Sequence, residues 1–471
     1  MKMRHVYIHT IGCQMNVYDT DRIVRSLAAC GYGPTRLLEA ADLIIVNTCA
    51  IRAKAEQKAF SFIGRLARIK QRRPEVLIAV GGCVAQQQGE AILSRMPIVD
   101  LVFGTHAIAR LPGLLAAVGS HERRVVDVGE CEDIDAVDMT GEGFAHGEVS
   151  GFVTIMQGCD NFCTYCVVPY VRGSETSRRP ERILAEIEAL VRDGVREVTL
   201  LGQNVNSYGC KEGLPSFAEL LARIDALEGL ERIRFTTSHP KDLSQELMEA
   251  FGRLPKLCPH IHLPVQSGSD RVLKRMNRNY TRQVYLDRIA QLRRVRPDIA
   301  VTSDFIVGFP GESQADFEET LALLAAVRFD SVFAFMYSDR AIAPASRFGN
   351  KVGTQEKKDR LQALLAAQEG VTLEKHQALV GRTQEILVEG GSSRPGLAGP
   401  ADVGTQWSGR TPGNKIVNFT APPKEPEANG LKAGALVEVV IENAFSHSLL
   451  GRLLPGKPTK RCQEGKQYHA A

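Results

Sequence analysis

Three cysteines set close together, Cys159-Asp-Asn-Phe-Cys163-Thr-Tyr-Cys166, carry the clearest chemistry in this chain of 471 residues. Thiolates are soft ligands that suit iron–sulfur clusters and zinc. At the spacing C-x3-C-x2-C, three of them can hold three irons of a four-iron cluster. The fourth iron keeps an open position where a substrate or cofactor can bind metal directly. The competing use of the trio is a zinc site closed by a distant fourth ligand, although zinc sites usually come as two paired halves.

A second set is scattered. Cys13, Cys49 and Cys83 each stand just past a predicted strand, in Thr10-Ile-Gly-Cys13, Asn47-Thr-Cys49 and Gly81-Gly-Cys83. Strand C-termini of a parallel sheet share one edge, so these sulfurs can converge at the crevice where open α/β sheets bind ligands. Three thiolates again leave one iron open. The alternative is three unrelated buried cysteines, a common fate of free Cys. Cys30, Cys131, Cys210, Cys258 and Cys462 have no such placement and read as structural or incidental.

A cofactor pocket also needs groups around it. Gly308-Phe309-Pro310-Gly311-Glu312, Leu201-Gly202-Gln203-Asn204 and His262-Leu-Pro-Val-Gln266-Ser-Gly268 each follow a predicted strand. Gln203, Asn204, Gln266, Gly308, Pro310 and Gly311 are therefore the candidate cofactor-binding residues. Each stretch taken singly could equally be a plain strand-to-helix turn.

The elements that position these groups fall into three blocks. In residues 1–119, strands are predicted at His5–Thr10, Asp42–Asn47 and Val76–Val80, and helices at Thr20–Ala29, Ala53–Arg72 and Gly89–Arg95. Such alternation means a doubly wound parallel sheet. A polar, acidic, glycine-bearing linker is expected over 120–147. Residues 148–378 contain six predicted strands, Phe152–Met156, Glu197–Leu201, Arg232–Thr237, His260–Pro264, Ala300–Phe309 and Ser331–Tyr337. Helical patterns such as Pro180–Asp193 and Thr281–Val295 separate them. Six βα units make a partial (β/α)6 barrel, whose chemistry belongs at the strand C-termini. In residues 379–455 short strands at Glu385–Val388, Lys415–Phe419 and Leu436–Ile441 predict a small antiparallel β-barrel of OB-like size. A basic tail, 456–471, ends the chain.

Composition excludes little. The hydrophobic fraction is 44%, the charged fraction 24% and the net charge +4. That is ordinary for a globular protein, and RNA binding would have to come from local patches. No apolar run reaches the roughly 18 residues that span a membrane. Met1-Lys-Met-Arg-His-Val-Tyr-Ile has no signal-peptide core and reads as a first strand, so a cytoplasmic location with reduced thiols is expected.

Taken together, these motifs resemble the methylthiotransferase family of radical S-adenosylmethionine enzymes over nearly the whole chain. The resemblance rests on Thr10-Ile-Gly-Cys-Gln-Met-Asn-Val-Tyr-Asp19, Val46-Asn-Thr-Cys49, Gly81-Gly-Cys83 and the run from Gln157 to Gly173. It extends through Leu200-Leu-Gly-Gln-Asn-Val-Asn-Ser-Tyr208, Leu263-Pro-Val-Gln-Ser-Gly-Ser269 and Gly409-Arg-Thr-Pro-Gly-Asn-Lys415. It implies two 4Fe-4S clusters, a radical one on Cys159, Cys163 and Cys166 and an auxiliary one on Cys13, Cys49 and Cys83. It further implies two equivalents of S-adenosylmethionine, one as radical source and one as methyl donor. The implied substrate is an isopentenylated adenosine in a tRNA anticodon stem-loop, with outside sulfur and electron donors and a C-terminal TRAM domain. A monomer is expected.

Threonylcarbamoyl-adenosine tRNA or a ribosomal-protein aspartate is the alternative substrate within the family. The Cys159-Asp-Asn-Phe-Cys and Gly-Gln-Asn-Val-Asn versions of the motifs favour isopentenyladenosine. Outside the family, a zinc-stabilised RNA-binding protein is the rival. Arg172 and Arg178 are candidates to approach the adenine. Ser338-Asp-Arg-Ala-Ile-Ala-Pro344 departs from the family's Ser-x-Arg-x-Gly-Thr-like turn.

Overall fold

The computed structural model describes residues 3–51, 53–120, 124–130, 133–141, 148–391, 406–421 and 431–454. Parts of the expected linker, Cys131, Cys462 and the basic tail lie outside them.

The first sheet holds β1 (Arg4–Thr10), β2 (Tyr32–Pro34), β3 (Leu43–Thr48), β4 (Leu77–Gly82), β5 (Leu101–Phe103) and β6 (Val125–Asp127). They run in the order β2-β1-β3-β4-β5-β6, all parallel. Leu-Ile-Ile-Val of β3 is buried throughout, as a central parallel strand covered on both faces must be. The helices are α1 (Gln14–Ala28), α2 (Ala53–Arg72), α3 (Cys83–Gln88), α4 (Glu90–Arg95) and α5 (Leu111–Ser120). Strands β2, β5 and β6 have only three residues each, too few for a periodicity to show in sequence. Helix α1 begins six residues before its predicted start, directly after Cys13. The cause is Asn16, whose Oδ1 accepts from the Cys13 N–H at 3.3 Å and caps the first turn.

The central unit is an open barrel of two parallel halves. One contains β7 (Ser150–Thr154), β10 (Glu197–Leu201) and β11 (Arg232–Phe235). The other contains β12 (His260–His262), β13 (Ala300–Val307) and β14 (Ser331–Met336). A short hairpin, β8 (Met156–Gln157) with β9 (Thr176–Ser177), rises from the end of β7. The covering helices are α6 (Val168–Val171), α7 (Pro180–Arg192), α8 (Phe217–Asp225), α9 (Gln245–Arg253), α10 (Asp270–Arg275), α11 (Arg282–Val295) and α12 (Gln314–Val327). Val153, Val198, Leu200, Ile233, Phe235, Val301 and Phe305 point outward into the core beneath these helices. The alternate positions Glu197, Thr199, Arg232, Arg234, His260 and Thr302 therefore face the barrel interior. Among the described residues no pairing joins β7 to β14, so the barrel is partial, as expected.

Helix α13 (Thr354–Gln377) leads to the third unit, a closed barrel of β15 (Thr383–Gly391), β16 (Gln406–Arg410), β17 (Ile416–Thr420), β18 (Leu436–Ala444) and β19 (Leu449–Leu453). Four pairings are antiparallel. The β17–β19 pairing is parallel, a departure from the all-antiparallel expectation.

The third barrel closes the strand-N-terminal end of the central one. Arg232 donates to Arg410 O at 2.7 Å and to Glu385 Oε1 at 3.0 Å. Arg234 donates to Thr411 O at 2.9 Å and Pro412 O at 2.8 Å, while pairing with Glu197. Asp330 lies between Lys415 at 2.9 Å and Lys375 at 2.7 Å. The Gly409–Lys415 motif, which the resemblance singled out, thus seats the small barrel under the large one.

Arg232 is completely buried, and its removal strands carbonyls and a carboxylate that it now satisfies. Because Glu385 is partly exposed, Arg232→Ala should cost about 2–3 kcal/mol in denaturant unfolding, less than the ~3–5 of a fully buried pair. Arg223→Ala, at an exposed pair, should cost within ~0.5 kcal/mol.

Candidate active site

Strands β1, β3 and β4 bring Cys13, Cys49 and Cys83 to one edge. The strand order reverses between β1 and β3, so this edge is the topological switch point where doubly wound sheets bind ligands. Cys49 and Cys83 are each 3% exposed, and Cys13 is half-buried. The neighbouring Cys49 thiol holds Cys13 below the ordinary thiol range and is itself pushed up by Cys13 and by burial, while Cys13 Sγ lies 3.4 Å from Asn16 Oδ1. Burial also raises Cys83. Gly82 permits the approach. Its φ is +90°, and a Cβ there would run into the Thr48 carbonyl. Asn16 ties the strand ends together by donating to Asn47 Oδ1 at 3.1 Å and Thr48 O at 3.0 Å.

Cys159, Cys163 and Cys166 lie in the loop after β7 and β8, as expected of the first barrel strand. The loop departs from Gly158, at φ +81°, whose N–H donates to Gln203 Oε1 at 2.6 Å. Each sulfur has a donor aimed at it. Asn161 Nδ2 lies 3.6 Å from Cys159 Sγ, Arg278 Nη1 3.5 Å from Cys163 Sγ, and the Val168 N–H 3.4 Å from Cys166 Sγ. These donors favour thiolates. Against them, burial lifts Cys159 and pushes Cys166 up to about 12. A positive iron cluster would reverse that burden, as metal does for coordinating thiols generally.

Among the described residues no three Cys, His, Asp or Glu side chains are gathered tightly enough to grip a single ion. Three thiolates with no fourth protein ligand suit a four-iron cluster, which takes one sulfur at each of three irons. Arg278 and Asn277 had no signal in the sequence, whereas Asn161 lies within the Cys159–Cys163 motif. Asn277, at φ +60°, holds the loop through Asn161 O at 3.2 Å and Phe162 O at 3.1 Å.

The six rim residues do reach the strand-C-terminal end of the barrel. Gln203 supports the cysteine loop. Gln266 exchanges backbone bonds with Asp304 and Ile306, both at 2.9 Å. The Gly308 N–H is taken by Glu312 Oε2 and the Gly311 N–H by Asn350 O, while Pro310 is buried beside them. Asn204 donates to Asp242 at 2.7 Å, but its Oδ1 is buried and unpartnered. Asn206 Oδ1, Ser238 Oγ and His239 Nε2 share that condition. His239 Nδ1 accepts from the Lys241 N–H at 3.2 Å, which leaves the proton on the unpartnered Nε2. Burial pushes this imidazole down to about 2, so it stays neutral. Buried polar atoms are nearly always satisfied, so four orphans at the ends of β10 and β11 mark a place for a polar ligand. The amino, carboxylate and hydroxyl groups of S-adenosylmethionine match that need.

The two cysteine edges are bound to one another. Arg172, six residues past Cys166, pairs with Asp19 of α1 at 2.6 Å and brings its charge to bear on Cys83 and Cys13 of the first edge. Thr105 donates to Val171 O at 2.8 Å. The atypical Ser338–Pro344 loop also crosses over, with Arg340 donating to Ile51 O at 2.9 Å. Neither Arg172 nor Arg178 is free to approach an adenine. Arg178 is 4% exposed and saturated by Asp135, Glu186, Tyr18 and Thr154 O. Arg172 is 3% exposed and faces the first cysteine edge.

Residues 153–324 match the Radical SAM superfamily model, and residues 5–104 match Uncharacterized protein family UPF0004. A tRNA-2-methylthio-N(6)-dimethylallyladenosine synthase of Desulfosudis oleivorans is 56% identical, over 95% of this chain and 96% of its own. The protein of that name from Geobacter metallireducens is 51% identical, over 95% and 98%. In fold, the chain resembles the radical S-adenosylmethionine methyltransferase TsrM of Kitasatospora setae, with a TM-score of 0.56, 13% identity, and coverage of 78% of this chain and 89% of that one. The cobalamin-dependent radical enzyme OxsB aligns with a TM-score of 0.50 at 15% identity, over 80% of this chain and 56% of its own.

Two outcomes test the site. In cluster-free protein, iodoacetamide should alkylate Cys13 with a midpoint below that of an ordinary thiol, reaction rising as pH rises, while Cys49 and Cys166 stay inert at neutral pH. Anaerobic reconstitution should give about eight irons per chain. The Cys13/Cys49/Cys83→Ala variant should keep about half of them and still cleave S-adenosylmethionine.

Proposed function

Because the chain belongs to the tRNA-2-methylthio-N(6)-dimethylallyladenosine synthase family, we propose that it methylthiolates C2 of N6-isopentenyladenosine beside the anticodon of tRNA. One observation carries the reading at the level of residues. Two cysteine trios stand at the C-terminal edges of two parallel sheets, joined through the buried Arg172–Asp19 pair. Cys159, Cys163 and Cys166 hold the radical cluster, and Cys13, Cys49 and Cys83 the auxiliary one.

When bound, the clusters and S-adenosylmethionine supply an adenosyl radical, a sulfur atom and a methyl group. The chain's own residues do the rest. Asn161, Arg278 and the Val168 N–H hold the radical-site sulfurs charged and in place. Gln203 fixes the loop that carries them, and Asn204, Asn206, Ser238 and His239 orient the polar end of the cofactor. Gln266, Gly308, Pro310 and Gly311 shape the opposite wall. Radical chemistry suits this target, because adenine C2–H is neither acidic nor a useful leaving position. An anticodon loop presents unstacked bases, the usual object of specific RNA recognition.

The TRAM-like barrel offers the RNA its outer strands, since its Gly409–Lys415 loop is engaged beneath the central barrel. Electron and sulfur donors come from outside the chain. A cytoplasmic monomer fits the reading. Among the described residues no helix is long and apolar enough to cross a membrane.

Anaerobically reconstituted protein should convert isopentenyladenosine tRNA to its 2-methylthio form, read by nucleoside mass spectrometry. Threonylcarbamoyl-adenosine tRNA and ribosomal-protein substrate should stay unmodified. Turnover of either in place of isopentenyladenosine would overturn the substrate assignment.

A further inference from the structure

We propose that Arg172 is a positioning residue that sets the charge balance, and so the reduction potential, of the iron–sulfur group held by Cys13, Cys49 and Cys83, with Asp19 as its counterweight. This rests on the ligand assignment just made.

The segment that supplies the radical-site cysteines continues through the short helix α6 and delivers Arg172 into the other sheet. There the guanidinium is 3% exposed and Asp19 is 2% exposed. Nη2 donates to Asp19 Oδ2 at 2.6 Å. Nη1 is buried without a hydrogen-bond partner, and Asp19 belongs to the helix that begins directly after Cys13, so the guanidinium's charge acts on Cys83 and Cys13. On the far side, Asp19 Oδ1 is also unsatisfied, with Arg22 Nη1 3.9 Å away. The arrangement is lopsided: one nitrogen of the guanidinium is neutralised by a carboxylate and the other is buried without a partner.

A group held by three thiolates gains negative charge on reduction. Its potential responds to net charge, hydrogen bonds to sulfur and burial. In a dry site a single cation beside the sulfurs favours the reduced state and raises the potential, whereas a nearby carboxylate lowers it. Arg172 and Asp19 therefore act in opposite directions on the same group. A purely structural pair would behave otherwise, because removing either partner breaks the same contact and does the same damage.

The experiment uses the full chain, reconstituted anaerobically, in a Cys159/Cys163/Cys166→Ala background that leaves one iron–sulfur group. Potentials are followed by EPR at fixed alkaline pH. Arg172→Gln should shift the potential down and Asp19→Asn should shift it up. The double variant should fall between the two, and Arg172→Lys should restore most of the Arg172→Gln shift. Shifts of the same sign, or no shift with the group retained, overturn the proposal. If Arg172→Gln fails to hold the group, Asp19→Asn decides alone: an upward shift supports the proposal and any other result sinks it. If the background itself holds no iron–sulfur group, the ligand assignment falls and the proposal falls with it. A background group with unsplit potentials leaves the assignment standing and removes only the role of Arg172.

Discussion

The buried contact between Arg172 and Asp19 determines how the two cysteine-bearing sheets face each other. Both side chains have left water almost completely, and the pair spans 153 residues of sequence. Close by, Arg178 is surrounded by Glu186 at 2.7 Å, Tyr18 at 3.0 Å and Asp135 at 2.6 Å. Fully desolvated ion pairs add little net stability, since the Coulomb gain barely exceeds the cost of leaving water. They are exacting about geometry, however. A shift of α1 against the Cys159 loop by even part of a turn would strand several buried charges at once. The interface is thus held to one arrangement, which a chemistry divided between two cysteine trios requires.

Both trios exploit one property of parallel sheets. All strand C-termini lie at the same edge, where loops can gather side chains from distant parts of the sequence. Glycine enters where backbone must come close, at Gly82 beside Thr48 and at Gly158 beside Ser174. The opposite end of the central barrel has the reverse character. Its charges Arg232, Arg234 and Asp330 find partners in the third barrel, while Glu197 pairs with Arg234 inside the central one. Chemistry stays at one end and structural closure at the other.

Cys159, Cys163 and Cys166 were legible because their ligand spacing is local and needs no fold to be recognised. The alternation of strands and helices was equally legible, since it rests on buried apolar runs such as Leu43–Val46 and on helical periodicity. Cys13, Cys49 and Cys83 could be placed at strand ends only by assuming a parallel sheet. Element edges were less clear. The start of α1 depended on Asn16, whose side chain bonds a residue 31 positions away as well as its own helix cap. Helix α13 and the short strands β2, β5 and β6 went unseen, as did the parallel closure of the third barrel.

What the sequence determined by itself was the inventory: two trios of soft ligands, a run of βα units to hold them, and motifs dense enough to indicate a family. What only the tertiary structure decided was partnership. Arg172 and Arg178 looked alike as rim cations, yet one is turned to the first cysteine edge and the other is saturated by carboxylates. Arg278, with no motif of its own, lies beside Cys163. The Gly409–Lys415 motif turned out to seat one barrel under another. The reason is physical. Ligand identity and hydrophobic period are written residue by residue, whereas the partner of a buried charge depends on which surfaces meet after water has been expelled.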